Sequence, residues 1–173
     1  MNAITRTGYL KSHLRFESNI PIPYSFLHTL KSYEILIKVK AAAINPVDMK
    51  IPPYSKLAHE FVGFDVSGIV LSVGPKVTLF QPGDFVFGQS KEGSLAEYTL
   101  AYEYHLARIP TMKDGENDIN GDLVDANKSW TFSQAAALPV AYSAAYQGLK
   151  SFANVGPSSE VLIIGGSGGC GVS

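Results

Sequence analysis

Near its end the chain carries an apolar run that leads directly into a series of glycines, EVLIIGGSGGCG at 160–171. A continuous apolar run such as Val161–Ile164 is typical of a strand buried on both faces of a parallel sheet. Gly165, Gly168 and Gly171 then follow at three-residue intervals. Glycines placed there let backbone amides approach a pyrophosphate, and the next helix adds further N–H donors. The segment predicts the opening of a dinucleotide-binding Rossmann unit, with a flexible glycine-rich terminus as the alternative.

The bulk composition excludes several classes of protein. The 173 residues suffice for one domain with a core, or for one domain and part of another. With 14 basic and 15 acidic residues, the chain has no basic excess that would indicate a nucleic-acid partner. A single cysteine excludes an internal disulfide framework. The N-terminus lacks a signal-peptide-like apolar stretch, and no apolar run approaches the roughly 20 residues of a membrane span. We therefore expect a cytoplasmic protein with no membrane partner.

Short strands and turns fill the chain up to Pro110. The apolar alternation and the glycine-containing turns predict strands in YEILIKVKAAAI, DVSGIVLSVGP and PGDFVFGQ, and one or two more in GSLAEYTLAYEYHLARIP. Strands this short, separated by so many turns, predict a small and strongly bent β-barrel. The fold class is accordingly mostly β with some α.

The composition changes after Pro110. The segment 111–130 is rich in acidic residues and glycine, and we interpret it as an exposed loop because its spacing does not match a calcium-binding loop. An alanine-rich stretch follows, in which Ser129 or Thr131 with Gln134 predicts a helix cap. Pro139 interrupts this stretch, which predicts two short helices or one kinked helix.

Six segments in this order resemble the medium-chain dehydrogenase/reductase superfamily, in its zinc-free quinone oxidoreductase-like branch. They are AAAINPVD, VGFDVSGIVLSVGPKV, FQPGDFVFG, GSLAEY, AAALPVAYSAAYQGL and VLIIGGSGGCG. The resemblance implies a GroES-like barrel as the catalytic domain and a Rossmann domain that binds NADPH, or NADH, with the substrate between the two. We therefore assign 1–132 to the GroES-like domain, with an acidic loop at 111–130. We assign 133–173 to linking helices and the start of an incomplete NAD(P)-binding Rossmann domain.

The same comparison indicates that no zinc is bound. A catalytic zinc needs about three protein ligands. In the zinc-dependent relatives these fall at positions matched here by Asn45, Phe64 and Val140, none of which is a zinc ligand. His59 lies outside the matched triplet Gly63–Asp65, and we interpret it as a loop histidine.

The candidate catalytic residues are Asn45 and Tyr54. In the resembled branch the asparagine of NPVD contacts the nicotinamide end of the cofactor, so Asn45 is also a cofactor-binding candidate; a turn residue before proline is its alternative. Asp48 is expected to fix this loop by bonding nearby amides. The branch often has a tyrosine at the position of Lys50. Tyr54 could serve as the proton donor instead, or it could simply pack in the loop.

The cofactor-binding candidates further along the chain are Tyr142, Gly165, Gly168, Gly169 and Gly171. Tyr142 stands where the family often has glycine, and Ala144 replaces a threonine whose hydroxyl often contacts the cofactor. We therefore expect altered or weakened cofactor affinity.

The resemblance implies hydride transfer from NADPH to a small-molecule quinone or α,β-unsaturated carbonyl, and a homodimer for a full-length protein. A Rossmann domain needs several βαβ units, and this sequence holds the start of one. We therefore expect a partial gene model, a truncated product or a split chain, with little or no activity by itself. The alternative is a GroES-like barrel that acts as a non-catalytic binding or structural module.

Overall fold

The computed structural model describes residues 1–7, 13–22, 30–50, 61–110 and 130–172. Its strands are β1 (Ala3–Thr7), β2 (His13–Glu17), β3 (Glu34–Ala43), β4 (Asp65–Val73), β5 (Phe85–Gln89), β6 (Tyr98–Tyr102) and β7 (Leu106–Arg108). Its α-helices are α1 (Pro46–Lys50), α2 (Phe132–Ala136), α3 (Pro139–Tyr146) and α4 (Gly169–Val172). A 3₁₀ turn covers Glu103–His105, and a π-helical segment, Gln147–Phe152, continues α3.

Five of the strands form one antiparallel sheet in the order β6-β3-β4-β5-β7, and β1 and β2 pair with each other. The strands expected from the alternating apolar pattern are confirmed, and the segment GSLAEYTLAYEYHLARIP contains two of them, β6 and β7. Isolated bridges from Ala3 to Ala96 and from Thr5 to Phe61 attach β1 to the loops beside this sheet.

The long strand β3 bends along its pairing with β4. The register shifts between Leu36 and Ile37, and again between Val39 and Ala41. Extra residues of this kind bend a strand and increase its twist. Among the strands that the structure describes, β6 and β7 are the two edges, so the hydrogen-bonded ladder of the predicted barrel does not close between them.

The larger buried cluster lies on one face of this sheet, and α2 packs a smaller one, which includes Phe132, against the other face. The buried cluster consists of Ile35, Ile37, Val66, Val70, Phe80, Val86 and Ala101. Fully burying a side chain of this size contributes about 1.5–3 kcal/mol, so the cluster is the main source of stability for the sheet. On the other face, the rings of Phe85 and Phe132 meet edge to face with their centroids 5.7 Å apart.

The alanine-rich stretch forms two short helices, as expected. The Thr131 hydroxyl accepts from Gln134 N at 3.1 Å, and Gln134 Oε1 accepts from Thr131 N at 2.9 Å. Thr131 is therefore the cap of α2. Pro139 opens α3 at a first-turn position, where its missing N–H costs nothing. Within the described ranges, no helix is long and apolar enough to cross a membrane.

The predicted strand Val161–Ile164 is not formed. Residues 161–163 are irregular, and a turn begins at Ile164. A strand needs a neighbour for its N–H and C=O groups, and no strand in the described part of the chain pairs with this segment. Leu162 and Ile164 are 86% and 90% exposed, so this apolar segment is not buried as a strand of a parallel sheet would be.

Candidate active site

Asn45 lies between the end of β3 and the start of α1, in a turn that Asp48 stabilises. Asn45 N donates to Asp48 Oδ2 at 2.7 Å, and Asp48 N donates to Asn45 O at 3.0 Å. Arg6 of β1 donates from Nη2 to the Asp48 carbonyl oxygen. The expected role of Asp48 in bonding nearby amides is confirmed, and it fixes the backbone at Asn45.

The side chain of Asn45 is held by Asp65, the first residue of β4. Asn45 Nδ2 donates to Asp65 Oδ2 at 2.8 Å. The other carboxylate oxygen, Oδ1, accepts from Val140 N at 3.0 Å, in the first turn of α3. Asp65 is 0% exposed. One buried carboxylate thus joins the end of β3, the start of β4 and the start of α3.

The two carboxyl groups of this cluster are harder to ionise than ordinary aspartates. Burial raises the pKa of Asp65 to about 6, although the hydrogen bonds from Asn45 and Val140 lower it, and the nearby charge of Asp48 raises it further. Burial also raises the pKa of Asp48, against the hydrogen bonds from the Asn45 and Phe64 amides and the charge of Arg6. Desolvation of the charged form outweighs the favourable contacts in both cases.

The three positions matched to zinc ligands meet around this carboxylate. Asn45 and Val140 donate to Asp65, and Phe64 directly precedes it. They offer an amide, a backbone N–H and a phenyl ring, which do not fit a site that requires thiolate, imidazole or carboxylate ligands. Across the described ranges, no group of three or more His, Cys, Asp or Glu side chains is placed to hold a metal ion.

A cavity of about 880 Å³ lies between α3 and the edge of the sheet formed by β5 and β7. Its walls include the aromatic side chains of Phe87, Tyr104, Trp130 and Tyr142. The rings of Phe87 and Trp130 lie 6.3 Å apart. The polar residues at the cavity are Gln89, His105, Ser143 and Gln147. Tyr142 is therefore in a concave site, whereas Asn45 is not among the residues that line it.

The glycine segment forms a compact turn that packs beside α3. Gly165 has a φ of +78°, a conformation that strains any other residue. A Cβ on Gly171 would lie 2.6 Å from the Cα of Gly166, whereas one on Gly168 would meet, within the described part of the chain, only Gly165 O, at 3.4 Å. Gly168 N donates to Gly165 O at 3.0 Å, and Gly171 N donates to Gly168 O at 2.8 Å. Val172, at the end of α4, reaches the cavity described above.

The structure thus separates the predicted site residues into two neighbouring groups. Asn45 belongs to the group of residues bonded to the Asp65 carboxylate, whereas Tyr142 lines the cavity and the glycine turn lies beside it. Tyr54, His59 and the acidic segment 111–129 fall outside the described residues. The cofactor-binding roles of Asn45, Tyr142 and the four candidate glycines stay predictions.

Sequence reasoning missed Asp65 and Trp130 as site residues. A carboxylate at the first position of an apolar strand was a usable signal for Asp65, because a buried charge needs partners. Trp130 gave no comparable signal, since it directly follows the acidic segment and its ring meets Phe87 only in the folded chain.

Comparison with known proteins identifies the family. Residues 31–111 match the family model described as the alcohol dehydrogenase GroES-like domain. The chain is 33% identical to the quinone oxidoreductase of Homo sapiens, over 92% of this chain and 43% of that protein. It is 35% identical to the NADPH-dependent alkenal/one oxidoreductase, chloroplastic, of Arabidopsis thaliana, over 91% of this chain and 39% of that protein.

The fold comparison agrees with the sequence comparison. The structure of the quinone oxidoreductase from Coxiella burnetii superposes with a TM-score of 0.65 at 27% identity, covering 99% of this chain and 51% of that one. The chain therefore spans about two-fifths to one-half of the length of these proteins. On the matching family model and these relatives, the chain belongs to the medium-chain dehydrogenase/reductase superfamily, in the quinone oxidoreductase-like branch.

Proposed function

We propose that this chain provides the catalytic GroES-like domain of an NADPH-dependent, zinc-independent oxidoreductase that reduces a quinone or an α,β-unsaturated carbonyl. The observation that carries the proposal is the hydrogen bond of 2.8 Å from Asn45 Nδ2 to Oδ2 of the buried Asp65 carboxylate. Asn45 stands at a position where zinc-dependent relatives have a metal ligand. The names of the human and Arabidopsis relatives support the reaction class, the quinone or alkenal/one substrate and the cofactor.

The residues at hand fit a nicotinamide cofactor. When bound, NADPH supplies the hydride, and the protein supplies binding and orientation. We assign the nicotinamide end to Asn45, whose side chain is partly exposed. We assign the phosphates to the turn at Gly165, Gly168, Gly169 and Gly171, where the lack of side chains leaves the backbone open to approach. NADH is the alternative cofactor.

The cavity beside α3 has the shape and chemistry for the substrate. Aromatic walls at Phe87, Trp130 and Tyr142 suit a planar ring or enone. In the absence of a metal, a substrate carbonyl has to be polarised by hydrogen-bond donors, and Gln89 and His105 line the same cavity. Tyr54 is the proton donor that we propose from the sequence, so Tyr54→Phe should lower turnover.

We expect the 173-residue chain to have little or no turnover by itself, because the glycine turn follows an exposed segment rather than a paired strand. That same observation favours a second candidate function, a GroES-like module that binds a partner without catalysis. A cytoplasmic location and a homodimer are further parts of the proposal. The Arabidopsis relative is named as chloroplastic, so fractionation of the source cells should test the location.

The proposed cofactor site can be tested by titrating the protein with NADPH and following the fluorescence of Trp130, the single tryptophan of the chain. Gly168→Ala adds a methyl group 3.4 Å from Gly165 O, and should weaken binding by obstructing the phosphates. Gly148→Ala is the matched control, because a Cβ there meets no atom of the described residues within 4 Å. Equal affinity of the two variants would refute the assignment of the phosphates to this turn.

A further inference from the structure

We infer that Asp65 is a positioning residue that fixes both the orientation of the Asn45 amide and the first turn of α3. The inference rests on the proposed function only for the identity of the ligand that Asn45 meets. It concerns a buried side chain for which the family resemblance implies no role.

The orientation of Asn45 follows from what a carboxylate can do. An ionised carboxylate only accepts hydrogen bonds, whereas an amide has a donating and an accepting arm. Asn45 therefore has to present Nδ2 to Asp65 Oδ2, over the observed 2.8 Å. Its acceptor, Oδ1, sits on the other arm of the same planar group. Asp65 thus leaves Asn45 with an oxygen to offer, which suits a ligand N–H such as that of a carboxamide.

The same carboxylate replaces a missing helix cap. The first N–H groups of a helix have no acceptor within the helix, and Leu138, at the N-cap position of α3, provides no side-chain bond. Asp65 Oδ1 accepts from Val140 N at 3.0 Å instead. A negative charge is also favourable at a helix N-terminus. Because Tyr142 lies two residues further along α3, Asp65 connects the Asn45 turn with the helix that forms one wall of the cavity.

Protonation of Asp65 removes this constraint. A protonated carboxyl carries one donor, so it no longer requires the Nδ2 arm of Asn45, and one of its two acceptor contacts weakens. Burial places the pKa of Asp65 at about 6. Among the described residues, the charged groups facing the cluster are Asp48 from α1 and Arg6 from β1. We therefore expect the Asn45 side-chain amide to be held in one orientation above about pH 6 and to be free to reorient below it.

The test is a pH titration of the 173-residue chain by ¹H–¹⁵N NMR, without cofactor. The Asn45 side-chain amide and the Val140 backbone amide come from different elements but share one carboxylate. Both resonances should shift with the same midpoint, at about pH 6. The Asn45 backbone amide faces Asp48 instead, so it reports separately on that carboxyl.

Two variants sharpen the result. In Asp65→Asn the shared titration should disappear from both resonances. The control is Asp84→Asn, which removes a buried carboxylate that accepts from Arg108 Nη1 at 2.6 Å. Asp84 lies beside the Ile69–Phe85 end of the β4–β5 pairing, and Asp65 lies at the opposite end, so this variant should keep the titration.

Different midpoints for the two amides in the natural sequence, or a titration that persists in Asp65→Asn, would overturn the inference. The first of these needs no variant to fold. Because the experiment contains no NADPH, its failure is distinct from failure of the proposed function, which would appear as absent NADPH binding alongside an intact shared titration.

Discussion

Ser67 Oγ donates to the Phe132 carbonyl oxygen at 2.6 Å, and this bond is buried. Ser67 lies two residues after Asp65 on β4, so both side chains point to the same face of the sheet. Asp65 holds α3, and Ser67 holds α2. The helical segment is therefore attached to the sheet by two neighbouring polar side chains of one strand.

Ser67→Ala should lower the free energy of unfolding by about 1 kcal/mol, the usual net value of one neutral hydrogen bond. It should leave the Asn45 side-chain resonance unchanged, because Asn45 has no part in this bond. Urea denaturation measures the first effect, and NMR measures the second. A shift at Asn45 as large as that caused by Asp65→Asn would show that a loosened helix, rather than the lost carboxylate, moves the amide.

The raised pKa of Asp65 predicts a specific pH dependence of stability. The folded state binds this proton more tightly than the unfolded state does. The contribution of the Asp65 proton to the free energy of unfolding is therefore fully present below pH 3.8, and it is lost as the pH rises through about 6. A pKa rise from 3.8 to about 6 corresponds to roughly 3 kcal/mol.

Asp65→Asn removes that dependence, so its stability relative to the natural sequence should improve as the pH rises from about 4 to about 7. Urea denaturation of both proteins at the two pH values measures this difference. A constant difference would mean that Asp65 titrates alike in the folded and unfolded chains.

The ion pair of Lys91 with Glu34 predicts the opposite pH dependence. Burial raises the pKa of Glu34, but the hydrogen bonds from Lys91 Nζ and Lys31 N lower it more, so the net direction is downward. The Glu34 side chain is only 3% exposed, and its Oε1 lies 2.8 Å from Lys91 Nζ. Lys91→Met would leave this carboxylate buried without its cation, and should cost about 3 kcal/mol at neutral pH.

The penalty of Lys91→Met should shrink below about pH 4.5, because protonated Glu34 no longer needs the cation. Arg108→Met is the matched control. It breaks the Arg108–Asp84 pair, whose carboxylate is also buried (6% exposed) but whose arginine is 57% exposed, against 20% for Lys91. Its cost should therefore be smaller. Equal costs for the two variants at neutral pH would contradict the role assigned to burial of the cation.

Tyr142→Phe tests whether the hydroxyl at the cavity takes part in cofactor binding. If it donates one hydrogen bond, its loss should weaken NADPH affinity by roughly 3- to 10-fold. Tyr146→Phe is the control, since Tyr146 stacks on Tyr142 with ring centroids 6.0 Å apart but does not line the cavity. Unchanged NADPH affinity in Tyr142→Phe would remove this residue from the site.

Local patterns in the sequence were sufficient for most of the fold. Alternation at Ile35 and Ile37 predicted β3, and Thr131 with Gln134 predicted the start of α2, because each pattern is set by neighbouring residues. The segment Val161–Ile164 reads as a strand in the sequence, but a strand requires a pairing partner that no local pattern supplies. The role of Asp65 is likewise non-local, since its partners Asn45 and Val140 lie 20 and 75 positions away.

The most direct test of the proposed function is NADPH oxidation by the native protein, purified from the cells that make it with antibodies against residues 31–110. The assay follows the absorbance of reduced nicotinamide with a quinone and then an enone as acceptor, in the presence and absence of EDTA. We predict acceptor-dependent oxidation that EDTA leaves unchanged and that falls in Asn45→Ala. Native protein that neither binds NADPH nor oxidises it with any acceptor, or that is inactivated by EDTA, would contradict the proposed zinc-independent reductase.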